Sequence, residues 1–256
     1  MRNKIIAGNW KMNLSYAEAM ALVDAVAEKI RGDQKTNVIL APPYIYLQEI
    51  AVRVHDHAMI SVAAQNCSDK NSGAITGEVS ASMLSSIGVD YVIIGHSERR
   101  KFFSEDNSFL SKKVKAVLEQ MLIPIYCCGE TADQRNAKKH TDTVREQIEK
   151  GLFHLDKNKI KECVIAYEPV WAIGTGVHAS PQQAAEMHQF IRNLVKEKYD
   201  ETIAGNISVL YGGSITSQNA HELFSCRDVD GGLVGGASLK ADEFISICNV
   251  MEKIVK

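Results

Sequence analysis

Glu168 is the residue whose position in this sequence most favours acid–base chemistry. Residues 164–167 before it form a short apolar run typical of a buried strand, and Pro169 after it cannot donate a ladder hydrogen bond. The strand is therefore expected to end at Glu168, where a carboxylate could act as a general base. A solvated surface glutamate is the alternative interpretation of this residue taken alone.

The segment after this glutamate predicts a lid. It combines Trp171 and other apolar residues with Gly174 and Gly176, and a helix begins only after Ser180, which fits an N-cap. The connection is longer than the usual span of about two to six residues between a strand and a helix. The glycines also match the loose dinucleotide pattern G-x-G-x-x-A, but that pattern needs its first glycine directly after the strand, so nucleotide binding is disfavoured.

Bulk composition argues against several functional classes. The 256 residues are 45% hydrophobic, and 29 lysines and arginines nearly balance 31 aspartates and glutamates, for a formal net charge of −2. No basic block indicates nucleic-acid binding, and no apolar run reaches the roughly 20 residues of a membrane span. Six cysteines are scattered without zinc-site spacing, and the first residues lead into a strand rather than a secretory segment. We therefore expect a cytoplasmic protein with reduced cysteines and no nucleic-acid or membrane partner.

Short apolar runs alternate with amphipathic helices eight times along the chain. The predicted strands cover residues 5–7, 38–41, 60–64, 91–94, 123–127, 164–167, 207–211 and 231–234. Most of them lack polar alternation, as buried parallel strands do, and no linker divides the sequence. This α/β pattern predicts a single (β/α)8 barrel domain over residues 1–256, with an open doubly wound sheet as the alternative.

Catalytic groups of such barrels occupy the carboxyl ends of the strands, where Lys11 and His96 are also expected. Lys11 follows the first strand and could hold an anion. His96 follows the fourth strand and precedes a helix, whose positive dipole end is expected to lower the pKa of the ring and keep it neutral. Each could be an ordinary surface residue, but both share the expected layer of Glu168. Glu130, after the fifth strand, is assigned a structural pairing role.

Glycine-rich turns follow the seventh and eighth predicted strands, at residues 212–214 and 235–238. Glycine lets backbone N–H groups approach an anion closely, and these two loops commonly bind phosphate in barrels. We therefore expect a phosphate site there.

The loop after the third predicted strand, residues 65–79, is long for a compact domain. Its tip at residues 73–78 is too apolar for a loop that stays in solvent. We expect this loop to insert into a partner chain.

These segments together resemble the triosephosphate isomerase family along the whole chain. The resemblance is carried by residues 9–13 (NWKMN), 95–99 (GHSER), 166–176 (AYEPVWAIGTG), 211–214 (YGGS) and 233–238 (LVGGAS). It implies a TIM barrel and a homodimeric, cytoplasmic isomerase of glycolysis and gluconeogenesis. The implied reaction interconverts dihydroxyacetone phosphate and D-glyceraldehyde 3-phosphate through an enediolate, without a metal ion or a cofactor.

The resemblance also implies a role for each site residue. Glu168 would move the proton, while Asn9 and His96 would hydrogen-bond the substrate oxygens. Lys11 would supply positive charge, Glu98 would support His96 and Lys11, and Ser97 would add further support around them. Backbone groups would grip the phosphate at Gly174, Ser214, Gly235 and Gly236. A lid would exclude water from the reaction, formed by Ala172, Ile173, Gly174, Thr175 and Gly176.

The implied homodimer would bring the strand-three loop to the other chain's site. Thr76 at its tip would approach Asn9 and Lys11 of the partner subunit.

Two other functions and one departure from the family stay open at the sequence level. An aldolase-like barrel enzyme would usually need a Schiff-base lysine on an inner strand or a metal cluster, and neither pattern occurs. A non-catalytic sugar-phosphate-binding protein would keep the glycine turns without needing Glu168 and His96 together. At the far end of the lid the family usually has Lys-Thr-Ala or Lys-Val-Ala, whereas this chain has Val177, His178 and Ala179.

Overall fold

The computed structural model describes residues 2–174 and 179–255, and the strands within them form one closed parallel barrel. The strands are β1 Lys4–Asn9, β2 Thr36–Ala41, β3 Ile60–Ala64, β4 Tyr91–Ile94, β5 Ile123–Cys128, β6 Val164–Tyr167, β7 Ser208–Tyr211 and β8 Gly231–Val234. Each strand pairs with its sequence neighbours, and β8 pairs in parallel with β1. The (β/α)8 barrel prediction is confirmed, and the open-sheet alternative is wrong because β8 closes onto β1.

Helices follow each strand on the outside of the barrel. They are α1 Tyr16–Lys29, α2 Leu47–Val54, α3 Ala81–Ser86, α4 Ser97–Phe102, α5 Asn107–Glu119, α6 Ala132–Asn136, α7 His140–Leu152, α8 Lys157–Ile160, α9 Pro181–Lys198, α10 Glu201–Asn206, α11 Ala220–Phe224 and α12 Ala241–Val255. Short 3-10 helices cover Tyr44–Tyr46, Val170–Ala172 and Gly236–Leu239. In the part of the chain that the structure describes, no helix is long and apolar enough to cross a lipid bilayer.

Capping residues mark two helix starts, and the one at Ser180 is the start that the sequence predicts. The Ser15 N–H donates to the Glu18 carboxylate at 2.8 Å at the start of α1. At α9, the Ser180 N–H donates to Gln183 Oε1 and the Gln183 N–H donates to Ser180 Oγ, which satisfies two amides without helical partners.

Several boundaries differ from the predicted ones for reasons of pairing and capping. β1 extends to Asn9 because Asn9 pairs with Ala41 of β2, so this asparagine lies on a rigid strand rather than on a loop. The helix predicted after β4 is divided into α4 and α5, since Asp106 caps a new helix through the Phe109 N–H.

The inward-facing side chains of the barrel alternate along each strand and form a separate apolar cluster. That cluster contains Ile5 and Ala7 of β1, Val164 and Ala166 of β6, and inward residues of the other strands. Because strand side chains alternate with a period of two, Asn9 and Glu168 occupy the next inward positions of β1 and β6, at the carboxyl end. The barrel thereby supplies the first two polar groups of a site.

The outward-facing residues pack against the helices in a larger cluster, which includes a buried histidine. His188 of α9 is fully buried, and its Nδ1 lies 3.2 Å from the Asp228 carbonyl oxygen. Its ring lies edge-on to Tyr167, with centroids 6.0 Å apart. Burial disfavours the charged ring and lowers the pKa of His188 to about 4.

This histidine is expected to make the free energy of unfolding depend on pH. The unfolded chain binds its proton near pH 6.5, so stability falls as the pH drops from about 6.5 to 4 and is unaffected above that window. Between pH 7 and pH 5 we expect the wild type to lose about 2 kcal/mol more than His188→Gln. Urea unfolding at both pH values measures this, with the exposed His55→Gln as control. Equal losses in wild type and His188→Gln would contradict it.

Candidate active site

A cavity of about 300 Å³ opens at the carboxyl ends of the strands. Segments after β1, β4, β6, β7 and β8 form its walls, through Asn9, Lys11, His96, Ile173, Gly174, Gly212, Gly213, Ser214, Ile215, Thr216, Leu233, Gly235, Gly236 and Ala237. All four predicted phosphate-binding residues lie in this lining, together with three of the four predicted catalytic residues. Glu168, Ser97, Glu98 and Thr76 do not line it.

Glu168 lies beside the cavity, with 2% of its surface exposed, rather than on its wall. Its Oε2 accepts the Ser97 N–H at 2.8 Å, and its Oε1 accepts from Ser97 Oγ at 3.3 Å and from His96 Nε2 at 2.9 Å. Gly212 separates it from the cavity, since a methyl group there would lie 2.9 Å from Glu168 Cγ. The carboxylate therefore lies just outside the cavity lining and is held there by three donors.

The electrostatic environment of Glu168 stabilises the ionised form. Burial by itself raises the pKa of the carboxyl group, but His96, the Ser97 N–H and the nearby Arg100 guanidinium outweigh it. The net effect is a pKa of Glu168 below its ordinary value. In this arrangement the carboxylate is charged at neutral pH but is a weaker base than a free glutamate.

His96 lies at the N-terminus of α4, as predicted, and is buried. The Glu98 N–H donates to its Nδ1 at 3.3 Å, which places a lone pair on Nδ1 and the ring proton on Nε2, facing Glu168. The predicted downward pKa shift is wrong for this arrangement. Burial lowers the pKa of His96, but the carboxylate 2.9 Å from Nε2 raises it further, and the net direction is upward.

Lys11 is joined to the same cluster through Glu98. The Lys11 ammonium lies 2.6 Å from Glu98 Oε1, and Glu98 Oε2 lies 3.5 Å from His96 Nδ1. Asn9 Oδ1 accepts the Lys11 N–H at 3.0 Å. Four predicted residues near the end of β1 and the start of α4 are thus linked beside the cavity.

The opposite side of the cavity consists of backbone from the two glycine-rich turns. Ser238 fixes the turn after β8, because its N–H and its Oγ donate to the Gly235 carbonyl at 2.8 and 2.7 Å. The 3-10 helix Gly236–Leu239 begins there, and the first amides of a helix have no carbonyl partner within it. Ser217, after β7, is held by Glu243 through its N–H and Oγ. Amide hydrogens on this wall, with the Lys11 ammonium in the same lining, make the space beside it suitable for an anion.

The near end of the predicted lid is anchored by the buried Glu130 carboxylate. Tyr167 Oη donates to it at 3.0 Å, Trp171 Nε1 at 2.7 Å and Arg135 at 2.8 Å, which confirms the predicted structural pairing. Ala172 is buried and Ile173 lines the cavity, while Gly174 is exposed with φ +70°. Four residues of this segment lie outside the described residues: Thr175 and Gly176 of the predicted lid, and Val177 and His178, which differ from the family pattern.

Sequence reasoning missed the residues that make room for the cluster or hold it in place. A methyl group at Gly129 would lie 1.7 Å from the Glu168 carbonyl oxygen, so the chain after β5 must have glycine there. Gln65 donates from Nε2 to the Lys11 carbonyl, and Ile215 and Thr216 line the cavity. Gly129 could have been recognised as a glycine at the inward-facing position just after a strand. Gln65 is a single glutamine that belongs to no pattern, so no signal in the sequence pointed to it. Across residues 2–174 and 179–255, no three His, Cys, Asp or Glu side chains are placed to hold a metal ion.

Comparison with known proteins gives one family. The family model described as triosephosphate isomerase matches residues 4–251. A triosephosphate isomerase of Cytophaga hutchinsonii is 49% identical over 249 residues, covering 96% of this chain and 98% of its own. Those of Porphyromonas gingivalis and Bacteroides fragilis are 50% and 49% identical over 248 residues, again covering 96% of this chain and 98% of theirs.

The packing of Gly212 against Glu168 predicts a cost for adding one methyl group. In Gly212→Ala the new methyl would lie 2.9 Å from Glu168 Cγ and 3.1 Å from the Tyr167 carbonyl oxygen, so a side chain and a strand end must both shift. We expect a loss of about 1–3 kcal/mol in the free energy of unfolding. The control Gly236→Ala meets no atom within 4 Å and should change it by less than about 0.5 kcal/mol. Urea unfolding at matched protein concentration measures both, and equal stabilities would refute the packing argument.

Proposed function

The chain belongs to the triosephosphate isomerase family and interconverts dihydroxyacetone phosphate and D-glyceraldehyde 3-phosphate, and we propose that four side chains carry out this reaction: Asn9, Lys11, His96 and Glu168. One observation carries the proposal. A buried carboxylate lies 2.9 Å from an imidazole nitrogen at the edge of a cavity whose far wall is formed by two glycine turns. A cavity of about 300 Å³ can hold a three-carbon phosphate, with the reacting carbons near the imidazole and the phosphate at the turns.

Glu168 acts as the base after it exchanges partners. In the free protein, the Ser97 amide and the imidazole of His96 hold its charge and keep its pKa low. When substrate enters, the carboxylate rotates past Gly212 toward the carbon beside the carbonyl and leaves those donors. Burial is then the main remaining influence, and burial raises the pKa of a carboxyl group. The movement that brings the base to the carbon therefore also makes it a stronger base, which removes one proton and returns it to the adjacent carbon.

The same exchange of partners frees His96 to donate a hydrogen bond to the substrate. The Nε2–H of His96, which donates to Glu168 in the free protein, becomes available to the substrate oxygen once the carboxylate moves. Departure of that carboxylate also removes the main influence that raises the pKa of His96, so burial favours the neutral ring. Asn9 and the Lys11 ammonium line the cavity beside it and stabilise the charge that builds on the enediolate oxygens.

The phosphate lies at the glycine-rich wall, held by backbone groups of Gly174, Ser214, Gly235 and Gly236. Lid closure, which involves Ala172, Ile173 and Gly174 together with Thr175 and Gly176 outside the described residues, excludes water from the enediolate. The hydrogen bond that anchors Trp171 to Glu130 supports a hinge at this end of the lid. Phosphate binding supplies free energy for the closure, and so helps to lower the barrier for proton transfer at the remote carbon.

The active unit is a homodimer in which the strand-three loop enters the partner. Thr76 and Ile75 are exposed at the loop tip, and neither meets its own cavity. A second cavity of about 480 Å³ adjoins the first and is lined by exposed apolar side chains, including Met12, Tyr44 and Phe102. Each chain has both an apolar loop tip and an apolar groove. In a two-fold interface, the tip of each chain can therefore fill the groove of the other. Thr76 then approaches Asn9 and Lys11 of the partner subunit.

Two further assignments complete the proposal. Residues 1–256 form one domain, supported by the pairing of β1 with β8, which joins the two ends of the sequence. The enzyme works in the cytoplasm as a step of glycolysis and gluconeogenesis, in keeping with its six unpaired cysteines, five of them buried.

Replacing the base should separate catalysis from binding. Glu168→Asp withdraws the carboxylate by one methylene, and we expect kcat to fall about 10²–10⁴-fold. Binding of a phosphate-bearing enediolate mimic should change only a few-fold, since its phosphate contacts remain. A coupled assay with glyceraldehyde 3-phosphate measures kcat, and calorimetry measures binding. The exposed Glu186→Asp on α9 is the matched control. Unchanged kcat in Glu168→Asp would remove Glu168 from the mechanism.

The homodimer is tested at the loop tip. Thr76→Arg places a charged side chain where the apolar groove of the partner is expected, so the protein should sediment with one chain mass of 28.2 kDa rather than two. Its kcat should fall with the dimer fraction. Thr202→Arg, on the exposed surface of α10, should behave as wild type. A wild type that sediments as one chain would exclude the dimer.

A further inference from the structure

Lys11 has an unusual backbone for its residue type. Its φ is +54°, in the left-handed region that a lysine rarely occupies. Such a conformation persists only where neighbouring groups fix it, and it often occurs at functional sites. The question is which contacts hold this peptide.

Two side chains bind the Lys11 backbone, one on each side. Asn9 Oδ1 accepts its N–H at 3.0 Å, and Gln65 Nε2 donates to its carbonyl at 2.8 Å. The same Gln65 nitrogen donates to the Ala41 carbonyl at 2.9 Å, so both of its hydrogens are used. Gln65 directly follows β3, and its amide reaches across the end of β2 to the segment after β1.

We propose that Gln65 is a positioning residue for the isomerase reaction, which holds Lys11 in its left-handed conformation so that the ammonium stays at the cavity. This inference rests on the proposed function, because it assigns Gln65 an effect only through Lys11. With the carbonyl held by Gln65 and the N–H by Asn9, the side chain leaves the backbone toward Glu98 and Gly235. Its Nζ lies 2.6 Å from Glu98 Oε1, and Gly235 lies close to its Cε.

The strand ends themselves do not depend on this glutamine. Asn9 pairs with Ala41 in the barrel, and the Trp10 N–H donates to the Ala41 carbonyl at 3.1 Å. Loss of the Gln65 amide therefore leaves β1 and β2 paired and releases the Lys11 peptide. An effect confined to Lys11 distinguishes a positioning role from general support of the fold.

Gln65 is also the first residue of the strand-three loop, residues 65–79, and lines the second cavity beside Lys11. A partner that fixes this loop also fixes its first residue. Gln65 thereby gives dimer formation a direct connection to the catalytic lysine within the same chain.

The test is a double-mutant cycle on kcat/KM with glyceraldehyde 3-phosphate, using the full chain. Gln65→Met keeps the side-chain length and removes both donors. We expect it to lower kcat/KM at least tenfold in the wild-type background and less than twofold when Lys11→Met is already present. The matched control Gln189→Met, exposed on α9, should change neither background. Gln65→Glu, which is nearly isosteric and cannot donate when ionised, should reproduce the loss and guards against poor folding of the first variant.

The outcomes separate the two levels of the argument. Suppose that Lys11→Met strongly lowers kcat/KM and that Gln65→Met lowers it equally in both backgrounds. That result would leave the proposed mechanism intact and overturn the positioning role. Wild-type kcat/KM in Gln65→Met and Gln65→Glu would also overturn it. If Lys11→Met retained wild-type kcat/KM, the role of Lys11 would fail and this inference with it. Sedimentation of each variant ensures that dimer loss is not the cause.

Discussion

The burial of one charged carboxylate governs the site. Glu168 is 2% exposed, and a buried charge is unfavourable unless hydrogen bonds replace the water it has lost. Ser97 and His96 supply those bonds from the start of α4, which must therefore lie beside the end of β6. The position of His96 at the N-terminus of α4 and the link from Glu98 to Lys11 follow from the same helix. The catalytic cluster proposed here is thus organised by what the buried charge requires.

The barrel makes space for this charge by controlling the size of its top layer. Inward positions at the strand ends carry Asn9 and Glu168 on β1 and β6, but glycine after β5, β7 and β8. A side chain at Gly129 would meet the Glu168 carbonyl oxygen at 1.7 Å, and one at Gly212 would meet Glu168 Cγ at 2.9 Å. Gly235 leaves the opposite wall open to the lysine and to an anion. Glycines after three strands therefore leave room for a cavity at the carboxyl end of the packed barrel.

The sequence predicted much of this because its signals are local or periodic. Apolar runs located the strands, period-two alternation continued them to the polar ends, and caps such as Ser180 located helix starts. The direction in which each side chain points at the site could not be predicted from these signals. Glu168 bonds to Ser97 instead of lining the cavity because that choice depends on donors from another strand–helix unit. The pKa of His96 was misjudged for the same reason, since the helix terminus was visible in the sequence but the facing carboxylate was not. Gln65 had no pattern to reveal it.

Glu130 and Glu168 are both buried but bind different donors, and this difference fits a structural role for Glu130 and the proposed role of Glu168 as the base. Both carboxylates are buried near the ends of adjacent strands, β5 and β6. Glu130 is bound by Tyr167, Trp171 and Arg135, whose side chains are packed away from the cavity and cannot be replaced by a small ligand. Glu168 accepts hydrogen bonds from the Ser97 amide and the His96 imidazole at the cavity edge. A substrate oxygen there could accept the imidazole hydrogen bond in place of the carboxylate. In the proposed mechanism, Glu168 is free to move because a substrate oxygen can accept the His96 N–H in its place. Glu130 stays fixed because all its partners are internal, which suits an anchor at the near end of the predicted lid.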